Sequence, residues 1–467
     1  MILAGFSEAT NTCHRINKRM NDFHRLNRRQ WFGATASAVS LAALGRVRQV
    51  SAAAPARPRV AAVITEFTYR SHAHVILENF LEPYLFNGKV TESGMDVVSL
   101  YVDQFPEGRD MARDIAKQYG IEIFPTIAAA LQRGGNDLAV DAVLSIGEHG
   151  KYPVNDHGQM MYPRKRFFDE IAAVFRQSGR SVPLFNDKHL TYRWDWSVEM
   201  MQVARELKIP FMAGSSVPLA QRRPPFELPE QAVIEEAVSI HGGGMESYDF
   251  HALEVLQSIV EARRGGETGV SEIQVLEGDA VWKAADEGRW SYPLAAAAMR
   301  AVEGKDVGPL QNYTEPGDSK VHPIHVILIK YRDGMKATIV RIGSSATRWG
   351  FACRLAGQPE PMATSFYVGP WQNRNLFKAL SHAIQSHFRE GRAPYPVERT
   401  HLVTGMLAAA MDSHFEQNKL LATPQLDVAY KPIDYRAMRE MGDSWKIITE
   451  GTPEPKGMDS SRSRAKL

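Results

Sequence analysis

From residue 59 to residue 213 the chain repeats one pattern: a short apolar, β-branched run followed by a longer amphipathic one. Strands alternating with helices demand βαβ units, and right-handed crossovers assemble such units into a parallel sheet with helices on both faces. The runs expected as strands are 59–64, 97–102, 121–124, 142–146, 182–190 and 210–213. Helices are expected over 71–85, 109–119 (closed by Gly120), 126–132, 164–177 and 194–207. The resulting fold class is α/β: an N-terminal Rossmann-like, doubly wound parallel sheet over 57–220.

Such a sheet carries its chemistry beyond the carboxyl ends of its strands. The polar residues just past successive runs are Glu66, then Asp103, then Glu148 and His149, then Asn186 to His189, then Ser215 and Ser216. Lys188 stands out, because the run 182–190 leads directly into Asp187 and Lys188. Asp103 also reads as a helix or turn cap, and His149, within Gly147-Glu148-His149-Gly150, as a hydrogen-bonded loop residue. No compact ligand spacing ties Glu66, His72, His74 and His149 together, so no metal is expected. The segment between the first strand and first helix, Thr65 to His72, contains no glycine. A dinucleotide site normally has a glycine fingerprint there, so that backbone can approach the pyrophosphate. Arg70 is the residue in this segment able to pair with a phosphate.

After Arg222-Arg223-Pro224-Pro225 the pattern changes. A helix is expected over 246–263, then strands over 270–276, 324–331, 335–342, 349–356 and 362–368, then helices over 376–389 and 401–415. Asp333-Gly334 marks a hairpin. Runs of strands flanked by helices imply a C-terminal α+β domain, 221–440, with a mostly antiparallel open sheet. Its open face is available to a second subunit, making a homo-oligomer. The polar stretch 441–467 reads as a tail. His251 lies early in the first of these helices, with Ser247 and Glu254 on the same helical face. A histidine held by a carboxylate serves as a general acid or base near neutral pH, whereas a helix-start histidine can also simply bond backbone.

Charge decides what the chain meets. The formal net charge is +2, but residues 1–56 hold eight Lys and Arg against Glu8 and Asp22. The remainder carries 47 basic and 51 acidic residues, a net of −4, which supplies no electrostatic footprint for nucleic acid. In the first 56 residues, Arg28-Arg29 precede a weakly apolar run and a cluster of small residues, the layout of a twin-arginine signal peptide. The run is too short for a membrane span. A periplasmic or otherwise exported protein is expected. Cys13 and Cys353 are the two cysteines, and loss of the leader leaves no intrachain pair.

Several stretches resemble the glucose–fructose oxidoreductase, inositol dehydrogenase and MocA (Gfo/Idh/MocA) family, across nearly all of the chain after the leader. They are Met111 to Leu131, Val140-Asp141-Ala142-Val143, Asn186-Asp187-Lys188-His189-Leu190, Phe250-His251-Ala252-Leu253-Glu254, Gly391 to Pro396, and Thr423 to Tyr430. The resemblance implies NAD or NADP on the first domain and a sugar, polyol or related hydroxyl compound as substrate. It implies that Lys188 binds the reacting oxygen, that His251 moves the proton with Glu254 on its face, and that Asp103 holds the adenosine ribose. Glu66, Arg70, His149 and Asp187 complete the expected cofactor edge. This chain departs from the family pattern in its missing glycines, in His189 where a proline follows the lysine, in Ser247 where an Asp precedes the histidine, and in an inserted loop over 151–163. Three functions are compatible with these residues. One is an exported NAD(P)-dependent oxidoreductase. The second is a non-redox protein that binds a carbohydrate-like ligand. The third is a lyase or hydrolase using Lys188, His149 and His251.

Overall fold

A computed structural model describes residues 56–313, 324–455 and 458. The expected signal peptide lies outside these residues. The first strand, β1 (Arg59–Ile64), is a continuous apolar run buried from Val60 onward, as a strand covered on both faces must be. Helix α1 (His72–Leu81) is shorter than expected, because Pro83 forces Glu82 into an extended conformation and the chain turns into a hairpin, β2 (Tyr84–Phe86) and β3 (Lys89–Thr91). Next come β4 (Asp96–Val102), α2 (Ala112–Tyr119), β5 (Glu122–Phe124), α3 (Ile127–Gln132), β6 (Ala142–Ile146), α4 (Arg164–Ser178), β7 (Leu184–Asp187), α5 (Trp194–Glu206) and β8 (Phe211–Gly214). Gly120 closes α2 in the left-handed region, at φ 67°. Asp110, rather than Arg109, sets the start of α2 by accepting from Ala112 N–H at 3.0 Å.

The six parallel strands lie in the order β5-β4-β1-β6-β7-β8. The order reverses between β1 and β6, and the crevice opens there. The expected doubly wound sheet is therefore present.

The second sheet is built from β9 (Gln221–Arg223), β10 (Ile234–Gly242), β11 (Val270–Glu277), β12 (His325–Tyr331), β13 (Lys336–Arg341), β14 (Ser345–Leu355), β15 (Met362–Tyr367) and β16 (Leu421–Ala422). Its order is β16-β11-β12-β13-β10-β14-β15-β9, antiparallel throughout except between β10 and β13. The sequence pattern does not disclose β10, a central strand, because Glu235-Glu236 interrupts its apolar run; Glu236 is held by Arg354 at 3.1 Å. Helix α6 (Ser247–Val260) packs on one face.

The other face is not bare, contrary to expectation. Helices α7 (Asp279–Asp286) and α8 (Tyr292–Glu303) cover it and enclose a separate core that includes Val238, Ile240, Trp290, Leu294, Val340 and Ala352. The last long helices, α9 (Asn373–Glu390) and α10 (Val397–Phe415), return to the first sheet. Asn79 donates to Ser381 across the α1–α9 contact, and Thr400 of α10 donates to the carbonyl of Ala213 at the end of β8. Nor is the start of the polar stretch 441–467 a loose tail: through Pro455 it is tied to the body. Glu454 pairs with Arg70 and Arg374, Glu450 accepts from Tyr367 at 2.6 Å, and Trp371 donates to the carbonyl of Thr452. No helix among the described residues is long and apolar enough to cross a membrane.

Candidate active site

At the carboxyl edge of the first sheet, beneath α6 and α9, lies a cavity of about 240 Å³. Strand β7 ends at Asp187, and Lys188 turns out of it at φ 64°, its N–H donating to the carbonyl of Gly214. The buried Lys188 ammonium sits 2.8 Å from Glu148 Oε1 and donates to Ser247 Oγ at 3.0 Å. Glu148 comes from the loop after β6, and its other oxygen is bound by Arg164 at the start of α4. Gly147 permits this approach, since a Cβ there would lie 2.7 Å from Arg164 Cγ. Burial by itself would raise the Glu148 carboxyl, but Lys188 and Arg164 overturn that and hold it well below the usual carboxylate range. The cavity wall therefore carries an ammonium paired with a fixed carboxylate.

Three imidazoles share the wall with Lys188: His72, His149 and His251. His251 Nδ1 is 2.6 Å from Ser215 Oγ, which also accepts from Val217 N–H. Burial, and then Lys188, push His251 well below its ordinary value, so it is neutral at pH 7. His149, at φ 71°, is pushed down to about 4 by burial and then by His72, and its Nε2 has no hydrogen-bond partner. His72, in the first turn of α1, places Nδ1 2.6 Å from Asp187 Oδ2. Opposite stand Tyr248 and Trp349, stacked at 5.4 Å and 7°.

The first turn of α6, which carries Ser247, Tyr248 and His251, is anchored from behind. Asp249 Oδ1 lies 2.9 Å from His241 Nε2 and 2.8 Å from His325 Nε2, while Oδ2 accepts from Glu246 N–H. Among the described residues this buried His-Asp-His set has the spacing of metal ligands, and here its polar atoms bond one another.

The structure separates the other expected site residues. Glu254 does not hold His251: its carboxyl accepts from Thr400 at 2.7 Å, and burial raises it to about 7. Ser215 has the anchoring place that helical spacing assigned to Glu254. Asp187 faces His72. Arg70 lines the cavity, but Glu454 and Gln372 hold its guanidinium.

Glu66 and His149 line a second groove, of about 590 Å³, together with Gln104, Arg109, Lys151 and Tyr162. Here a dinucleotide would lie along the strand edge. The groove offers it place and space, but the usual two grips are engaged elsewhere. Asp103 accepts from Tyr101, Tyr152 and Arg166, each at 2.6 Å, and Tyr152 belongs to the inserted loop. In the β1–α1 loop, Phe67 is buried in the core and Glu66 accepts from Thr68 at 2.9 Å. Ser71 Oγ already accepts from the N–H groups of Thr68 and His74. The cationic side chains on this groove are Arg109 and Lys151.

The sequence points to Lys188 and His251 and names Glu148, Asp187, Ser215 and Ser247 near them, but not which group supports which. Glu148 was visible as a rim residue in a glycine-bracketed loop. The His72–Asp187 and His251–Ser215 pairs join residues 115 and 36 positions apart and left no local pattern.

No protein-family model matches the chain, and no curated protein matches it. Among solved structures it is similar to scyllo-inositol dehydrogenase from Lactobacillus casei, with TM-score 0.46 and 10% identity over 78% of this chain and 98% of that one. It is similar to a myo-inositol dehydrogenase from Corynebacterium glutamicum, with TM-score 0.47 and 12% identity over 79% and 99%. A third is an oxidoreductase from Agrobacterium radiobacter in complex with NAD+, L-tartaric acid and magnesium, with TM-score 0.48 and 10% identity over 79% and 98%. The likeness is one of overall fold, and it assigns no chemistry to the cavity.

Proposed function

We propose that this protein is an oxidoreductase acting on a hydroxyl or carbonyl carbon of a small sugar, polyol or related compound, with NAD or NADP in the groove beside the cavity. The observation that carries the reading is the buried Lys188 ammonium, held by Glu148 and Ser247 on the wall of a cavity that three histidines share. An ammonium fixed in this way stabilises negative charge developing on a substrate oxygen, and it does so without reorganising. The wall histidines exchange the oxygen's proton. Arg109 and Lys151 would hold the phosphates of the dinucleotide, whose nicotinamide accepts or supplies a hydride when bound.

A second reading keeps Lys188 and the histidines but dispenses with the cofactor, making the protein an acid–base enzyme such as a lyase or hydrolase, or a binder of a carbohydrate-like ligand. The engaged β1–α1 loop and the committed Asp103 favour it.

Thermal shift with NAD(H) and NADP(H) separates the two readings, because a ligand at a hundred times its Kd adds about 2.7 kcal/mol to apparent stability. A shift with either, and a dinucleotide in the native mass spectrum, is the expected result. No shift and no copurified dinucleotide would remove the oxidoreductase. Replacing Lys188 by Ala should abolish turnover in a panel of polyols and aldoses; full activity would move the site elsewhere. We also read the basic leader as a twin-arginine export signal. Periplasmic recovery of the full chain that is lost on Arg28→Lys with Arg29→Lys tests it, and unchanged recovery would refute it.

A further inference from the structure

Resting on the reading that Lys188 binds the reacting oxygen, we propose that His72, oriented by Asp187, is the base that takes the substrate's proton. Three imidazoles line the cavity, and the step asks one of them to become an imidazolium. The question is which of them has a partner for that charge.

His251 does not. Its ring is anchored by the neutral hydroxyl of Ser215, and Lys188 faces it as a second positive charge. His149 makes no hydrogen bond through Nε2 and sits edge-on to His72, with ring centres 5.1 Å apart. His72 Nδ1 alone of the three lies in hydrogen-bond contact with a carboxylate, at 2.6 Å, and that carboxylate is 1% exposed. A buried carboxylate bonded to Nδ1–H fixes the tautomer, leaves the Nε2 lone pair toward the cavity, and stabilises the cation that forms.

Position supports the same assignment. Asp187 and Lys188 are consecutive, so one strand end delivers both the carboxylate that orients the base and the ammonium that receives the oxygen. Phe377 of α9 packs edge-on against the His72 ring at 4.6 Å, limiting its rotation. Helix α1 thus begins with a histidine aimed at the substrate cavity, beside the loop from which the glycines are absent.

The step balances without a further reactant. The substrate O–H bond breaks, an Nε2–H bond forms on His72, and the electron pair stays on oxygen as an alkoxide facing the Lys188 ammonium. What the alkoxide does next belongs to the reading above.

Two measurements on the full chain decide it. The first needs no substrate: long-range proton–nitrogen NMR of the histidine rings at pH 8, assigned by the loss of one ring in His72→Gln. The expected result is His72 protonated on Nδ1 with a bare Nε2, and loss of that preference in Asp187→Asn. A proton on Nε2 in the unmodified chain would overturn the proposal. The second uses the compound of the polyol and aldose panel turned over fastest. His72→Gln should lower kcat by about 10²- to 10⁴-fold, the usual contribution of a general base, and erase the acid limb of the rate profile, with KM little changed. Asp187→Asn should lose most of the same factor while His72 is still present. An unaltered acid limb in His72→Gln would overturn the proposal, whereas full activity in Lys188→Ala would overturn the site reading and leave the tautomer result standing.

Discussion

Replacing Glu254 by Gln should stabilise the protein at alkaline pH and leave it unchanged in acid. Glu254 is 1% exposed, and burial is the largest influence on it, raising its carboxyl from an ordinary 4.5 to about 7 against the opposing effects of Arg399 and the Thr400 hydrogen bond. Below pH 4.5 the group is protonated in both folded and unfolded chains, and its favourable contribution is complete. Between 4.5 and 7 the unfolded chain releases the proton first, so stability falls as pH rises, by up to about 1.4 kcal/mol per pH unit. Above 7 the loss is complete, at about 3 kcal/mol. Glutamine keeps an oxygen for Thr400 and has no proton to release.

The difference in unfolding free energy between variant and parent, from urea titrations at intervals from about pH 4 to 8, should therefore climb from near zero to about 3 kcal/mol in favour of the variant. A difference that does not change with pH, or a variant less stable at pH 8, would refute the reasoning. Either would mean that the carboxylate is ionised beneath His251 and that Arg399 supports it. The outcome bears on function, because a carboxyl that is only about half ionised near pH 7 is a poor partner for an imidazolium.

Other substitutions probe the supporting groups. Glu148→Gln strips the counter-charge from both Lys188 and Arg164 and should cost about 3–5 kcal/mol in urea unfolding at pH 7. Because the Glu148 carboxyl is held well below 4.5, its contribution is present above that value and disappears as pH falls further, so the gap between parent and variant should close in acid. Ser215→Ala leaves His251 Nδ1 without its partner; a loss of about 1–3 kcal/mol and a change in the His251 ring tautomer by NMR are expected. Glu454→Gln weakens the clasp on half-buried Arg70 and on buried Arg374, which keeps its second carboxylate, Glu78, and should cost about 1 kcal/mol, read as a small fall in Tm.

What the sequence discloses is what nearest neighbours decide. The strand Ala142–Ile146 is legible to the residue because a short strand buried on both faces is apolar nearly throughout, here at every position but Ser145. Lys188 is legible as a site residue because strand order alone puts the end of β7 on the crevice. By contrast β10 carries two glutamates after Ile234, both bound by Arg354, more than a hundred residues away in the chain. Helix α8 does carry a local signal, Ser291 as N-cap followed by Tyr292-Pro293, at the head of an alanine-rich stretch. The commitment of Asp103 to Tyr152, and of Arg70 to Glu454, depends on loops and termini whose partners no spacing rule supplies. For the same reason the fold was easier to read than the chemistry: folds are set by periodic burial, while site chemistry here is set by single long-range pairs.

The clasp of Glu454 on Arg70 spans 384 residues, and it bears on the order in which the protein can be made. A ribosome that has released residue 220 has already synthesised every strand of the first sheet, with Lys188, His72 and Glu148 among them. It has not yet made α6 or α9, which supply His251, Asn373 and Phe377 to the cavity wall, nor the segment that closes over Arg70. The charged floor of the site is therefore synthesised first, and its roof follows only with α6, α9 and the segment that carries Glu454. A chain ended between residue 220 and that segment would carry the charged groups but lack the side chains that close the cavity over them.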